Sequence, residues 1–162
     1  MYKQYLKVGS SKTGQGVFTT IKIPAKQPVI EVTGDVFSNE TADHNHPALL
    51  QVSGNLYIGP SGGPDDYINH SCNPNCFLHC IGKRAILFSL YDIPADTEIT
   101  FDYSTSSTDN LDKWKMDCLC GDPNCRKVIS GFQYLSPEKV KEYTEKGIVP
   151  MFLRNLDFAK VR

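Results

Sequence analysis

The chain of 162 residues lacks the features that mark membrane, secreted and nucleic-acid-binding proteins. Its apolar runs all stay below the about 20 residues that span a bilayer, and its first residues lack the apolar stretch of a signal peptide. Acidic and basic residues nearly balance at a net charge of -1, without a basic stripe, so we expect no direct binding to nucleic acid. We therefore expect a protein of the cell interior, in the cytoplasm or the nucleus, with no membrane association.

Repeats and low-complexity tracts are also lacking, whereas glycine and proline are frequent. Short β-prone runs, bounded by turns rich in these two residues, predict a mainly β domain of several small sheets with few short helices. The predicted strands cover residues 17–23, 29–32, 56–58, 85–90 and 98–103. No pattern in the chain specifies an oligomeric state.

One helix is clearly marked towards the end of the chain. Ser136 is a good N-cap, Pro137 suits the first helical position, and Gly147 is a natural terminator. The apolar stretch 148–156 is expected to dock on the body of the domain. The polar segment 104–112 predicts either a flexible joint or an ordinary exposed linker.

Six cysteines are present, and without a secretion signal we expect them to be reduced. Three of them, Cys118, Cys120 and Cys125, are spaced C-x-C-x4-C, which indicates metal binding rather than a disulfide framework. Structural zinc takes four ligands in tetrahedral geometry. Cys72 is the best candidate for the fourth ligand, and Cys76 is the runner-up.

The thiols outside this ligand set need no metal to explain them. Free cysteine often acts as a small buried hydrophobe, which is our interpretation of Cys76 and Cys80. His79 is a further candidate ligand, but no motif supports it. The expected content is therefore one structural zinc per chain.

Three motifs occur in a fixed order: NHSCNPNC at 69–76, EITFDYS at 98–104 and CLCGDPNCRK at 118–127, with a weaker GQG turn at 14–16 before them. Together they resemble the SET-domain protein lysine methyltransferases that carry a cysteine-rich post-SET segment. The resemblance runs from about residue 7 to residue 131. It implies the SET fold, in which the segments around Asn69 and Tyr103 cross in a knot-like way, followed by a zinc-binding post-SET tail and a C-terminal helix.

The resemblance also implies how the chain is divided and what holds the zinc. We expect a SET domain over residues 1–106, a post-SET zinc-binding lid over 107–131 and a C-terminal helical extension over 132–162, together forming one structural unit. The family's zinc ligands fall on Cys72, Cys118, Cys120 and Cys125.

The activity implied by the resemblance is methyl transfer from S-adenosylmethionine to a protein lysine, in a histone tail or another basic segment. Tyr103 matches the family's catalytic tyrosine. Phe101 lies two residues earlier, on the same face of the strand, and matches a position where the family carries Phe or Tyr. Because Phe101 has no hydroxyl to hold a water molecule, we expect room for a methylated amine and products up to di- or trimethyllysine.

The cofactor site implied by the resemblance draws on three separate segments. Asn69 and His70 match residues that bind the amino-acid and adenine portions of the cofactor. The GQG turn would let the backbone approach the ligand closely, and an aromatic residue would stand nearby. The full predicted set is Gly14, Gly16, Val17, Tyr57, Asn69 and His70.

Three positions depart from the family pattern: Gln15 where Trp is common, Val32 where a channel Tyr is common, and Asp66 where Arg is common. An arginine could meet the cofactor carboxylate whereas Asp66 cannot, so another group, such as Lys12, would have to compensate. The departures at Val32 and Asp66 support an alternative function, a zinc-stabilised SET-like module that binds proteins without catalysis.

Overall fold

The computed structural model describes residues 1–44, 46–108 and 114–154. Across these residues the fold is mainly β, with short strands that follow one another in chain order: β1 (Leu6–Ser11), β2 (Gly14–Thr19), β3 (Pro28–Val32), β4 (Val36–Ser38), β5 (Leu50–Gln51), β6 (Leu56–Ile58), β7 (Asn69–His70), β8 (Cys76–Ile81), β9 (Arg84–Ser89), β10 (Thr100–Phe101), β11 (Lys115–Asp117) and β12 (Val128–Ser130). Two helices follow, α1 (Pro137–Glu145) and α2 (Met151–Arg154). Four 3₁₀ turns connect elements at Lys3–Tyr5, Pro64–Tyr67, Tyr103–Ser106 and Phe132–Tyr134.

The strands form small sheets rather than one large one, as the sequence predicted. Two three-stranded sheets have the orders β3-β9-β8 and β4-β6-β5, and two hairpins pair β1 with β2 and β11 with β12. Strand β9 lies in the middle of its sheet and buries the consecutive residues Ala85, Ile86 and Leu87. A run buried on both faces is expected where a strand is covered from both sides. The main hydrophobic core gathers around this sheet.

The predicted strands agree with the structure in position more than in length. The run 56–58 coincides with β6, 29–32 with β3 and 85–90 with β9, each within one residue. The predicted strand 98–103 shortens to β10, because the Asp102 carboxylate accepts a hydrogen bond from the Ser104 amide at 3.0 Å and caps a 3₁₀ turn. The prediction omitted β1 and β8, among others.

The predicted helix is confirmed with its boundaries. Ser136 has extended dihedrals and its hydroxyl accepts from the Lys139 amide at 3.2 Å, while Pro137 opens α1 and Gly147 follows its end at φ +68°. The helix buries Tyr143 against a second apolar cluster that includes Phe132 and Leu153. The described part of the stretch 148–156 docks there as expected, and residues 155 and 156 lie outside the described residues.

The prediction of an exposed linker is wrong where it can be compared, and the alternative of a flexible joint stays a prediction. Ser104, Thr105 and Thr108 are buried, and the Thr108 amide and hydroxyl both bond the side chain of Gln51, with the amide donating at 2.8 Å. Short polar side chains are buried here because each finds a hydrogen-bond partner. Residues 109–112 of the predicted linker lie outside the described residues.

The pairing that matters most for the site is parallel and only two residues long. β10 runs beside β7, with Thr100 opposite Asn69 and Phe101 opposite His70. The Ser71 amide continues the contact by donating to the carbonyl of Phe101 at 3.1 Å. Two motifs about 30 residues apart in sequence therefore lie side by side. The knot-like threading of these motifs stays a prediction, and so do the boundaries of the three segments. Within the described part of the chain, neither helix has the length and apolar character needed to cross a bilayer.

Candidate active site

A cavity of about 1070 Å³ opens beside the β7–β10 pair. Its walls come from the turn after β10, the loop before β5, the 3₁₀ turn Pro64–Tyr67 and the hairpin of β11 and β12. Its volume lies at the upper end of the range of about 300–1,000 Å³ that is usual for small-molecule and cofactor pockets. Five of the predicted catalytic and cofactor-binding residues line it, namely Tyr57, Asn69, His70, Phe101 and Tyr103, and so does the predicted zinc ligand Cys120.

The phenol of Tyr103 is largely buried and has a defined partner. Its hydroxyl donates to the carbonyl oxygen of Ile68 at 2.7 Å. Burial and, secondarily, the charge of Glu98 raise its pKa to about 12, so the phenol is neutral at ordinary pH. Because its proton is committed to Ile68, the oxygen presents lone pairs as acceptors. The ring of Phe101 packs at 5.0 Å between centroids and adds no polar atom.

Both ring nitrogens of His70 have partners within the protein. The Tyr103 amide donates to Nδ1 at 3.1 Å, so the proton of the neutral ring lies on Nε2, which is 3.3 Å from the Sγ atom of Cys72. Burial lowers the pKa of His70 to about 4, so the 3.5 Å approach of Asp102 to Nδ1 is not an ion pair at neutral pH. The imidazole therefore joins a cysteine to the backbone of Tyr103 through both of its ring nitrogens. His70 still lines the cavity, and its cofactor role stays a prediction.

The side chain of Asn69 is held in place by the hydrogen bonds that its amide nitrogen donates. The Nδ2 atom lies 2.8 Å from the carbonyl oxygen of Gln15 and 2.7 Å from Oε1 of Glu98. A Cβ added at Gly16 would collide with the Glu98 carboxylate and approach the Asn69 amide nitrogen at 3.0 Å. A side chain at position 16 would therefore displace the Glu98 carboxylate that is bonded to Asn69.

The other predicted residues of the N-terminal turn do not reach the cavity with side chains. Gly14 has φ +115°, a conformation that favours glycine. Val17 is fully buried in the main core, so its side chain serves packing. Their neighbours Thr13 and Gln15 line the cavity instead. A cofactor role for Gly14, Gly16 and Val17 stays a prediction.

The four predicted zinc ligands come together. The Sγ atoms of Cys72, Cys118, Cys120 and Cys125 all lie within 4.8 Å of one another, and the Cys72 and Cys118 sulfurs are 3.6 Å apart. Tetrahedral zinc with bonds of about 2.3 Å requires sulfurs about 3.8 Å apart, so this donor set fits the metal.

Backbone amides point at two of the sulfurs. The Arg126 amide lies 3.3 Å from the Cys72 sulfur, and the Lys127 amide lies 3.4 Å from the Cys125 sulfur. Burial raises the pKa of the Cys72 thiol despite this donor, and a bound metal ion would hold the sulfurs as thiolates. The runner-up ligand Cys76 is fully buried in the apolar core, as is Cys80, which matches their interpretation as small hydrophobes.

The three positions that depart from the family pattern, Gln15, Val32 and Asp66, all line the cavity. The Asp66 carboxylate accepts hydrogen bonds from the Ser61 and Gly62 amides at 2.9 and 2.7 Å, so it holds a turn at the cavity edge. Val32 is buried and lines the cavity. The Lys12 ammonium lies close to Gly121 in the zinc-binding segment and is not among the described lining residues.

Sequence reasoning missed a buried ion pair behind the site. The Asp102 carboxylate accepts from the guanidinium of Arg126, with Nη2 2.7 Å from Oδ1. Burial alone would raise the pKa of Asp102, but hydrogen bonds and charge from Arg126 outweigh it and lower that pKa. An aspartate inside a β-prone run and an arginine directly after the last cysteine were the signals that could have suggested the pair.

Comparison with known proteins identifies the family. Residues 14–104, more than half of the chain, match the family model of the SET domain. The chain therefore belongs to the SET-domain family.

Two curated relatives have names that state an activity. The chain is 32% identical over 131 residues to "Histone-lysine N-methyltransferase, H3 lysine-4 specific" of Debaryomyces hansenii, which covers 71% of this chain and 12% of that protein. It is also 32% identical over 151 residues to "Histone-lysine N-methyltransferase, H3 lysine-36 specific" of Cryptococcus neoformans, covering 80% and 17% respectively. The chain thus spans less than a fifth of the length of either relative.

A solved structure shares the fold. The crystal structure of KRYPTONITE in complex with mCHH DNA, H3(1-15) peptide and SAH superposes with a TM-score of 0.65 at 28% identity. The match covers 76% of this chain and 29% of that one. The mainly β architecture described above is therefore the SET fold.

Proposed function

We propose that the chain is a protein-lysine N-methyltransferase that uses S-adenosylmethionine and reacts at the cavity beside Tyr103. The observation that carries the proposal is the pairing of β7 with β10. Through it the phenol of Tyr103, the ring of Phe101 and the amide of Asn69 share the wall of one cavity. The names of the SET-domain relatives, which state histone-lysine methylation, add support.

S-adenosylmethionine supplies an electrophilic methyl group on a sulfonium centre. The lysine nitrogen attacks the methyl carbon in line with the breaking carbon–sulfur bond, giving methyllysine, S-adenosylhomocysteine and one proton. The attacking amine must be neutral although a free lysine has a pKa near about 10.4. Apolar cavity walls such as Phe101 and Val32 disfavour the ammonium form.

Tyr103 is the proposed catalytic residue because its oxygen is an acceptor held in place. With its proton donated to Ile68, the phenol oxygen can accept a hydrogen bond from the amine and orient it towards the methyl group. The phenol does not act as a base, since its pKa near 12 keeps it protonated. Asn69 and Tyr57, which both line the cavity, are proposed to hold the cofactor.

The proposed substrate is a lysine in a basic protein segment, and a histone H3 tail is the first candidate. The relatives named for H3 lysines and the neighbour solved with an H3 peptide support this choice. Phe101 leaves room for a methylated amine, so di- and trimethyllysine are the proposed products. Six free cysteines suit a reducing compartment, so we propose action in the nucleus or the cytoplasm.

One structural zinc is proposed to be held by Cys72, Cys118, Cys120 and Cys125. The metal would fasten the segment that follows β11 to the residue two places after β7. Its chemistry would be structural, because four protein sulfurs leave no open coordination position.

The test starts with protein whose zinc content has been measured. Calorimetric titration with S-adenosylmethionine should give micromolar, near-stoichiometric binding. Radiolabelled cofactor should then transfer its methyl group to a histone H3 peptide or to proteins of a cell lysate, and mass spectrometry should locate it on lysine. Matched peptides with arginine in place of lysine serve as controls. A folded, zinc-loaded protein that binds no cofactor, with or without peptide, would contradict the proposal and favour the non-catalytic binding module.

A further inference from the structure

The carboxylate of Asp102, directly before Tyr103, collects donors from three separate parts of the chain. The Ser104 amide of its own turn donates at 3.0 Å, and the guanidinium of Arg126 donates to both oxygens. The third donor is the hydroxyl of Tyr143 in α1, 2.7 Å from Oδ2. Asp102 and Tyr143 are each only 2% exposed, so solvent does not compete for these bonds.

Each donor anchors a different element. Arg126 follows the zinc ligand Cys125, and its backbone amide points at the Cys72 sulfur, so it ties the zinc-binding segment to Asp102. Tyr143 ties the C-terminal helix to the same carboxylate. Removing one hydrogen bond from a buried charge costs free energy, so we expect a change in either element to affect Asp102.

Asp102 in turn sets the position of the proposed catalytic phenol. Its side chain caps the 3₁₀ turn Tyr103–Ser106, and the Tyr103 amide is held by His70. The phenol therefore reaches Ile68 from a turn whose first residue is fixed on both sides. Small displacements of a group that orients a reacting atom can cost about 10²-fold in rate.

We propose that Tyr143 is a positioning residue for methyl transfer, acting through Asp102 on the Tyr103 turn. The helix α1 then contributes to catalysis by supporting the active site, although it follows the zinc-binding segment in the chain. This role rests on the proposed function. It concerns the hydroxyl alone, because the ring of Tyr143 also packs with Phe132 and Leu153 in the second apolar cluster.

The test is Tyr143→Phe, which removes the hydroxyl and keeps the ring. The matched control is Tyr91→Phe, which also removes a hydroxyl that donates one hydrogen bond, to the Pro74 carbonyl at 3.1 Å. Each purified variant is assayed below its unfolding range for zinc content, cofactor affinity, kcat, peptide KM and the ratio of methylated products. For Tyr143→Phe we expect kcat to fall about 10-fold or more and the product ratio to change, with zinc content and peptide KM near those of the wild type. Tyr91→Phe should keep the wild-type kcat.

The outcomes separate the two proposals. A wild-type kcat and product ratio in Tyr143→Phe, even with a lower Tm, would overturn the positioning role and leave the methyltransferase intact. Loss of zinc or of cofactor binding in that variant would also overturn it, since the hydroxyl would then support the fold in general. A wild-type protein that transfers no methyl group to any substrate would overturn the proposed function itself, and this role with it.

Discussion

The Nε2 atom of His70 lies 3.3 Å from the Sγ atom of Cys72, and the opposite ring nitrogen accepts the amide proton of Tyr103. A predicted zinc ligand is thus two hydrogen bonds away from the backbone of the proposed catalytic residue. The order of donors requires a neutral imidazole with its proton on Nε2, which agrees with a pKa lowered by burial to about 4. His70 is best understood as an outer support of the metal site that also fixes the Tyr103 turn.

Replacing His70 should weaken zinc binding without removing a ligand. In His70→Ala the Cys72 thiolate loses its ring donor, and we expect zinc affinity to fall about 10- to 100-fold, as outer-shell changes do. Competition with a chromophoric chelator measures the change. His79→Ala is the control, because its ring packs edge-on against Phe88 and it is outside the cysteine cluster found among the described residues. Equal zinc affinity in both variants would contradict the role of His70.

Replacing a predicted ligand should abolish the site. Cys120→Ser leaves three thiols, so we expect metal content to fall from one zinc per chain towards none. Affinity for cofactor and for peptide should fall together, because metal binding is coupled to local folding. Cys76→Ala, in the apolar core, is the control and should retain one zinc. Atomic emission on dialysed protein gives the metal content. If Cys76→Ala lost its zinc while Cys120→Ser kept it, Cys76 would be a ligand and Cys120 would not.

Removing the phenol hydroxyl of Tyr103 should lower kcat strongly and change the affinity for the cofactor little. Tyr103→Phe deletes the acceptor that orients the amine, and we expect kcat to fall about 10²-fold or more, or the product to change, since a positioned polar group at a reaction centre has that weight. Cofactor affinity from calorimetry should stay within about 3-fold on the same reasoning. Tyr67→Phe is a fair control, because Tyr67 also lines the cavity but is 41% exposed. Unchanged kcat and products in Tyr103→Phe would remove it from the mechanism.

Adding one methyl group at Gly16 should damage both fold and site. In Gly16→Ala the new Cβ meets the Glu98 carboxylate and the Asn69 amide. We expect about 1–3 kcal/mol of lost free energy of unfolding, with weaker cofactor binding because Asn69 must move. Gly54→Ala is the control, as its Cβ would have no described atom within 4 Å. Urea unfolding and calorimetry should separate the two variants, and similar midpoints would argue against the crowding.

The sequence could predict those features whose signals are local. Ser136, Pro137 and Gly147 mark α1, and the spacing of the last three cysteines by itself indicates a metal site. Strand β8 alternates buried and partly buried residues, as a half-buried strand should. Its cysteines and its histidine also suit a metal-binding pattern, so the sequence did not lead us to predict a strand there. The contacts of Asp102 with Arg126 and Tyr143 join residues 24 and 41 positions apart. Such links depend on how the elements pack, and no local pattern encodes them.

The raised pKa of Tyr103 has a consequence for stability at high pH. Its pKa is about 12 in the folded chain against 10.0 for an unperturbed tyrosine, first because of burial. Below pH 10 the phenol is protonated in both folded and unfolded states, so its contribution is fully present. Between about pH 10 and 12 the unfolded state ionises first, and the contribution is lost at about 1.4 kcal/mol per pH unit. The difference in free energy of unfolding between wild type and Tyr103→Phe should therefore be constant up to about pH 9.5 and shift against the wild type above it. Urea unfolding at closely spaced pH values measures this difference, and a shift that begins well below pH 9 would mean that the folded phenol is not protected as the structure indicates.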